Sequence, residues 1–269
     1  MKVRLPCVSG QFYEGEGKKL TAQVSSCLPQ KSTRRPAKAV MVPHAGLMYS
    51  GGVAGEVYAS LEWTGTVVLL GPNHTGYGKP LSLSDAEYWS TPLGEVGVNQ
   101  KLSRLLLRHI PGLERDDEAH RYEHSLEVQL PFLQSLSGKT EIVPVCLGFG
   151  SAEGYQAFGL HLAEALAAFG EEVVVIASSD MTHYEPHEQA KAKDAHAIRA
   201  ILAVDPDKLT SSVREHRISM CGYAPVVSML SYAKKRGLPK GELVRYQTSG
   251  DVSGDYASVV GYAGVSFPS

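Results

Sequence analysis

Apolar residues follow two alternating periods along the chain, and each period predicts its own type of element. Recurrence every three to four positions is typical of an amphipathic helix, whereas short runs rich in Val, Ile, Leu and Tyr favour strands. The first pattern predicts helices over residues 18–28, 53–61, 100–109, 125–135, 155–169, 188–203 and 224–236. The second predicts strands over residues 39–42, 66–70, 142–147, 173–177, 243–248 and 258–265. Their alternation indicates an α/β fold with a central, mostly parallel or mixed sheet flanked by helices.

The chain shows no internal boundary. No stretch has the Pro, Gly or Ser enrichment of an interdomain linker, and no sequence repeat is evident. We therefore expect a single domain over residues 1–269. The irregular segment 76–97 is expected to form loops or a hairpin at the sheet edge, because it contains several Pro and Gly residues.

Composition excludes several classes of protein. With 43% apolar residues, 20% charged residues and a net charge of −2, the chain is an ordinary globular protein without the basic surplus of nucleic-acid binders. No run approaches the roughly 20 apolar residues that span a bilayer, and the amino terminus lacks a signal-peptide core, so we expect a cytoplasmic protein without a membrane partner. The four cysteines form no CxxC pair, which argues against a zinc knuckle or a disulfide framework.

Metal-capable side chains follow three of the predicted strands. The strands 39–42, 66–70 and 173–177 are followed by His44, by His74, and by Asp180 with His183, respectively. In open α/β sheets, ligands bind in a crevice outside the carboxyl ends of the strands. If these strands are parallel neighbours, their ends should converge on one site. Each histidine taken alone could instead cap a following helix.

Two candidate positions, Asp180 and His124, leave alternatives open. Asp180 and His183 would both face inward if a helical turn begins there, and Asp180 could bind a cation, orient an imidazole or cap the next helix. His124 precedes the predicted helix 125–135, with Ser125 as a plausible N-cap. The positive end of that helix would lower the imidazole pKa and favour a neutral base, although a surface histidine is equally compatible.

Cys221 lies just before the predicted helix 224–236. A helix start favours the thiolate, which is both a nucleophile and a metal ligand, whereas an inert buried thiol is the common alternative. Met48 could also bind copper through its thioether, but packing in the core is the more frequent role of methionine.

Several blocks along nearly the whole chain resemble the Memo family, whose fold is similar to that of class III extradiol ring-cleaving dioxygenases. The blocks that carry the resemblance are residues 9–13, Pro43-His44-Ala45-Gly46 with Tyr49, Ser50 and Gly51, Gly71-Pro72-Asn73-His74, Glu123-His124-Ser125 with Gln129-Leu130-Pro131, Ser178-Ser179-Asp180 with His183, Cys221-Gly222 and Tyr256-Ala257-Ser258.

The resemblance implies a mononuclear metal site held by His44, His74 and Cys221. It places Asp180 and His183 close by and His124 across the pocket, as the catalytic groups. The ring-cleaving relatives bind non-haem Fe(II) through two histidines and a carboxylate, and here Cys221 stands in place of the carboxylate. Fe(II) is therefore the leading cofactor, with copper or zinc also admitted by the softer thiolate.

Three functional hypotheses follow. The first is a dioxygenase-like, metal-dependent oxidoreductase that acts on an unknown small molecule, for example a phenol. The second is a non-catalytic binding or scaffold protein, since prokaryotic relatives are associated with an AMMECR-type domain and a radical S-adenosylmethionine protein. The third is a thiol hydrolase with Cys221 as nucleophile, His183 as base and Asp180 as the group that orients it.

Overall fold

The computed structural model describes residues 2–63, 65–137 and 139–269. The strands in these ranges are β1 (Val3–Arg4), β2 (Arg35–Val42), β3 (Leu61–Glu62), β4 (Thr66–Pro72), β5 (Leu81–Leu83), β6 (Tyr88–Thr91), β7 (Gly94–Gly97), β8 (Glu114–Arg115), β9 (Glu141–Leu147), β10 (Val173–Ser178), β11 (His183–Glu185), β12 (Glu242–Thr248) and β13 (Val259–Pro268). The helices are α1 (Gly17–Cys27), α2 (Leu47–Ser60), α3 (Gln100–His109), α4 (Glu118–Arg121), α5 (Leu130–Leu136), α6 (Ala152–Phe169), α7 (His187–Leu202), α8 (Pro206–His216), α9 (Tyr223–Lys235) and α10 (Gly250–Ser253). A 3₁₀ turn covers Glu127–Gln129.

Four parallel strands form the middle of a mixed sheet. Strand β10 lies between β2 and β4, and β9 lies beyond β4. In register, Ile176 of β10 pairs with Val40 on one side and with Leu69 on the other. Strand β13 joins β2 antiparallel and β5 joins β9 antiparallel, so the sheet is mixed. The predicted α/β class is confirmed.

The sheet is buried on both faces because its central strands are almost entirely apolar. Every residue of β4 is buried, as expected for a parallel strand with helices on both sides. Successive side chains of a strand point to opposite faces. Accordingly, Val68 and Leu70 pack into one hydrophobic cluster, while Val67 and Leu69 pack into the other.

The long helices match the predicted ones closely, with three informative differences. The predicted helix 125–135 begins only at Leu130, as α5, because a 3₁₀ turn precedes it. Helix α2 begins at Leu47, six residues before the predicted start, because its glycines serve packing against α1. A Cβ on Gly51 would lie 2.5 Å from Cys27 Sγ, and one on Gly55 would lie 2.1 Å from Cys27 O. Helix α8 was not predicted, although Asp205 caps it by accepting a hydrogen bond from Lys208 N.

The irregular segment 76–97 forms the expected hairpin. Strands β6 and β7 pair antiparallel, and β1 joins β6 to complete a small three-stranded sheet. Among the described residues, every helix is too short or too polar to cross a bilayer.

Candidate metal centre

The carboxyl ends of three parallel strands bring the candidate residues together. His44 follows β2, His74 follows β4, and Asp180 follows β10, which lies between them. One ligand atom each of His44, His74 and Cys221 lies within 4.8 Å of the other two. The side chains expected to converge at the strand ends therefore do so, and Cys221 reaches them from just before α9.

His44 is held on three sides. Its side chain is buried, and its backbone N–H donates to Asp180 Oδ1 at 2.8 Å. Its Nδ1 lies 2.9 Å from Ser178 Oγ, and its Nε2 lies 3.2 Å from Cys221 Sγ. Burial lowers the pKa of His44 well below its usual value, and the neighbouring imidazoles lower it further. The ring is thus neutral, as metal ligation requires.

His74 is held by the carboxylate of Glu123. Its backbone N–H donates to Glu123 Oε2 at 2.6 Å, and its Nδ1 lies 2.8 Å from Glu123 Oε1. Because a carboxylate accepts hydrogen bonds, Nδ1 carries a proton, and in the neutral ring the lone pair is on Nε2. Burial alone would lower the pKa of His74, but the hydrogen bond to Glu123 outweighs it and the pKa is raised.

Glu123 is fully buried and ionised. Burial alone would raise the pKa of its carboxyl, yet the hydrogen bond from His74 and the nearby imidazoles lower it to about 2. Both carboxylate oxygens already accept hydrogen bonds, since Ser125 N also donates to Oε1 at 2.9 Å. Glu123 therefore orients a ligand rather than serving as one, in the manner of the carboxylates behind metal-bound histidines.

Cys221 approaches the strand ends closely because a glycine follows it. A Cβ on Gly222 would lie 2.3 Å from Ser179 Cβ and 2.4 Å from Ser178 O. Burial and the Asp180 carboxylate raise the pKa of the Cys221 thiol well above its usual value. The expected thiolate at the helix start is therefore wrong for the metal-free protein, and this thiol does not suit a hydrolase nucleophile. A bound cation would instead deprotonate it.

Asp180 fixes the loop after β2. Its Oδ1 accepts hydrogen bonds from His44 N at 2.8 Å and from Ala45 N at 3.3 Å. Burial raises the pKa of Asp180 to about 6, although these hydrogen bonds oppose the shift. No helical turn begins here, and Asp180 does not cap α7, whose N-cap is Pro186.

His183 is the first residue of the short strand β11. Its Nδ1 lies 2.9 Å from the carbonyl oxygen of Ser219, so Nδ1 donates and Nε2 is free. One ligand atom each of Asp180, His183 and Cys221 also lies within 4.8 Å of the other two. His183 is thus near the thiol, as the resemblance implies, but strand pairing with β13 holds it there rather than a helix.

His124 lies beside the two proposed histidine ligands. Its ring stacks on that of His74 at a centroid distance of 4.5 Å and lies 4.7 Å from the ring of Phe12. Burial lowers the pKa of His124 to about 4. The predicted direction is right but the predicted cause is wrong, because Ser125 caps no helix and donates to Pro72 O instead.

Three buried residues support the histidines, and the sequence patterns predicted no such role for them although they stand in the Memo-like blocks: Glu123, Ser178 and Gln129. The signal for them is polarity in apolar surroundings, since Ser178 ends a buried strand and Gln129 is followed by the apolar run of α5. Met48, in contrast, is 66% exposed, so its expected packing role is wrong.

The donor set fits a transition metal. Two imidazoles and one thiol are nitrogen and sulfur donors of the kind that bind iron, copper and zinc. Each histidine that would bind through Nε2 has its Nδ1 engaged by a fixed partner, as is usual for metal-binding histidines.

A family model described as Memo-like protein matches residues 4–266. The chain belongs to the Memo family. A MEMO1 family protein from Methanosarcina acetivorans is 43% identical over 267 residues, covering 98% of this chain and 99% of the relative. One from Aquifex aeolicus is 41% identical over 269 residues, covering 99% of this chain and 100% of the relative. The fold of this Memo-family chain is also similar to that of an uncharacterized Escherichia coli K12 protein, with a TM-score of 0.53, 14% identity, and coverage of 85% and 98% of the two chains.

Proposed function

We propose that this Memo-family protein is a metal-dependent oxidoreductase with one metal ion bound by His44 Nε2, His74 Nε2 and Cys221 Sγ. The observation that carries the proposal is the arrangement of the two rings. Both Nδ1 atoms are hydrogen-bonded inside the protein, so the Nε2 atoms of both histidines are left for a ligand beside Cys221 Sγ. Two imidazoles and one anionic ligand resemble the facial set of non-haem iron enzymes.

Fe(II) is the metal that we propose first. When bound, it would supply an electron and a coordination position open to oxygen, which the ring-cleaving relatives use. The thiolate makes this site softer than one with two histidines and a carboxylate, so copper or zinc are the alternatives.

The surrounding residues would manage protons for a small substrate. Asp180 has its pKa raised to about 6, near the pH at which a general acid or base works best. His124, whose pKa is lowered to about 4, stays neutral near pH 7 and can hold or donate a hydrogen bond. His183 keeps Nε2 free beside the thiol and can accept a proton there.

An anaerobic titration of metal-free protein with Fe(II) tests this proposal. The protein should bind one equivalent of Fe(II), and His74→Ala should abolish this binding. The surface variant His161→Ala is the matched control, because that ring is 39% exposed and forms an ion pair with Glu164 on the same helix. Wild-type protein that binds no Fe(II), copper or zinc would contradict the proposal.

A partner-binding role is the second candidate, with an AMMECR-type protein and a radical S-adenosylmethionine protein as the proposed partners. Large apolar side chains that face solvent support it, since Phe149 is fully exposed and Tyr184 is 78% exposed. Exposed apolar groups of this size often mark interaction surfaces. Binding of either partner that is lost in Phe149→Ser but kept in His44→Ala would favour this role over chemistry.

A further inference from the structure

A fully buried hydrogen-bond network lies behind His44. The contacts of Gln129 determine which atoms donate and which accept in this network. The amide Nε2 of Gln129 donates to Pro43 O at 3.0 Å and to Ser178 Oγ at 2.8 Å, while its Oε1 accepts from Tyr58 OH at 2.8 Å. The carbonyl oxygen of Pro43 can only accept, so the amide nitrogen must face it. Ser178 Oγ therefore receives a hydrogen bond from Gln129.

The single proton of Ser178 is committed elsewhere. Its Oγ donates to the backbone carbonyl of Ser125 at 2.7 Å, and that oxygen also can only accept. A hydroxyl has one proton and two lone pairs. With one lone pair used by Gln129, the other is left for His44 Nδ1, which lies 2.9 Å away.

We propose that Ser178 and Gln129 are positioning residues that hold His44 in the Nδ1–H tautomer and thereby aim the Nε2 lone pair at the metal position. Burial makes the selection strong. Gln129, Ser178 and Ser125 have no solvent exposure, so water cannot replace a missing partner. Reversing the tautomer would leave Nδ1 without a donor, unless Ser178 abandoned the buried carbonyl of Ser125.

The two histidines are thus held in the same tautomer by different means. For His74, the carboxylate of Glu123 accepts the hydrogen bond from Nδ1. For His44, the acceptor is the neutral hydroxyl of Ser178, whose hydrogen-bond direction is fixed by two backbone carbonyls. The consequence for metal affinity rests on the proposed function, but the tautomer itself is a property of the metal-free protein.

Nitrogen-15 NMR of the imidazole side chains, recorded on metal-free protein at a pH where His44 is neutral, tests the tautomer. Wild-type His44 should carry its proton on Nδ1. In Ser178→Ala, which removes the acceptor, the proton should move to Nε2. In Gln129→Met, which keeps the side-chain length but frees the hydroxyl to turn, the two tautomers should mix. A wild-type proton on Nε2, or an unchanged His44 signal in both variants, would overturn the proposal.

Metal affinity is the second readout. Ser178→Ala should weaken Zn(II) binding about 10- to 100-fold, the usual effect of losing a partner of a metal-binding histidine. Ser228→Ala is the matched control. Ser228 lies in α9, is equally buried, and also donates to a backbone carbonyl, that of Tyr155 in α6. Unchanged affinity in Ser178→Ala would contradict the positioning role. Wild-type protein that shows the Nδ1–H tautomer but binds no metal would instead contradict the proposed function alone.

Discussion

The Nε2 atom of His44 lies 3.2 Å from the Sγ atom of Cys221. Because Nδ1 of this ring carries the proton, the contact is a hydrogen bond from the thiol to Nε2 in the metal-free protein. Burial keeps that thiol protonated by raising its pKa. A metal ion bound between the two atoms must therefore displace this proton.

Metal binding should release a proton from Cys221. We expect wild-type protein near pH 7 to release about one proton more per metal ion than Cys221→Ser, because a ligating thiol is deprotonated whereas a serine hydroxyl is not. Calorimetric titration with Zn(II) in buffers of different ionisation enthalpy measures the difference. Equal release by both proteins would show that the thiol is not a ligand. The affinity of the wild type should also rise with pH.

Replacing the carboxylate behind His74 should weaken metal binding without unfolding the protein. In Glu123→Gln, one carboxylate oxygen becomes an NH₂ group and faces either the N–H or the Nδ1–H of His74, so at least one hydrogen bond is lost. Metal affinity should fall about 10- to 100-fold. Glu118→Gln is the control, since that side chain is 61% exposed and forms an i,i+3 ion pair with Arg121. Equal metal affinity in Glu123→Gln and wild type would show that Glu123 does not orient His74 for metal binding.

Gly222→Ala tests the close approach of the Cys221 loop to β10. The new Cβ would lie 2.3 Å from Ser179 Cβ, so the loop must move and stability should fall by about 1–3 kcal/mol, the usual cost of overpacking. Gly154→Ala is the control, because its Cβ would meet nothing closer than Ser151 Oγ at 3.6 Å. Urea unfolding should show loss in the first variant and none in the second. Unchanged stability in Gly222→Ala would contradict the tight contact.

His120 should make stability fall at mildly acidic pH. Burial lowers the pKa of His120 from 6.5 to about 4, while its Nε2 contacts Ser82 O at 3.1 Å. Between these values the unfolded chain binds a proton that the folded protein cannot, so acid favours unfolding. From about pH 7 to pH 5 the wild type should lose about 2 kcal/mol more than His120→Gln. Parallel pH profiles of unfolding free energy for the two proteins would contradict this assignment.

The sequence sufficed to place the strand ends and the residues that follow them. Apolar runs such as 66–70 are long and nearly uniform, so they predict buried parallel strands, and His44, His74 and Asp180 come directly after such runs. Helix α2 starts six residues before the predicted helix 53–61 and contains glycines, which usually weaken helices. Its Gly51 and Gly55 are instead required by contact with Cys27, which only the tertiary structure shows.

The supporting residues could not be predicted because their roles depend on contacts between distant segments. Ser178 and Gln129 are 49 positions apart, and Glu123 acts on His74 across the same separation. The pKa of Cys221 could not be predicted for a related reason. Cys221 does precede a helix, but burial beside Asp180 outweighs the helix terminus and raises its pKa.

Metal analysis of anaerobically purified protein, with X-ray absorption spectroscopy of the bound ion, tests directly whether His44, His74 and Cys221 bind one metal ion. We expect one metal ion per chain with two nitrogen ligands and one sulfur ligand, and loss of the metal in both His44→Ala and Cys221→Ala. Cys27→Ala should keep its metal, since Cys27 packs against α2, and its weak sulfur contact is with Leu47 O. Metal retained in full by Cys221→Ala, or a bound ion without sulfur ligation, would show that Cys221 is not a ligand and would contradict the proposed site.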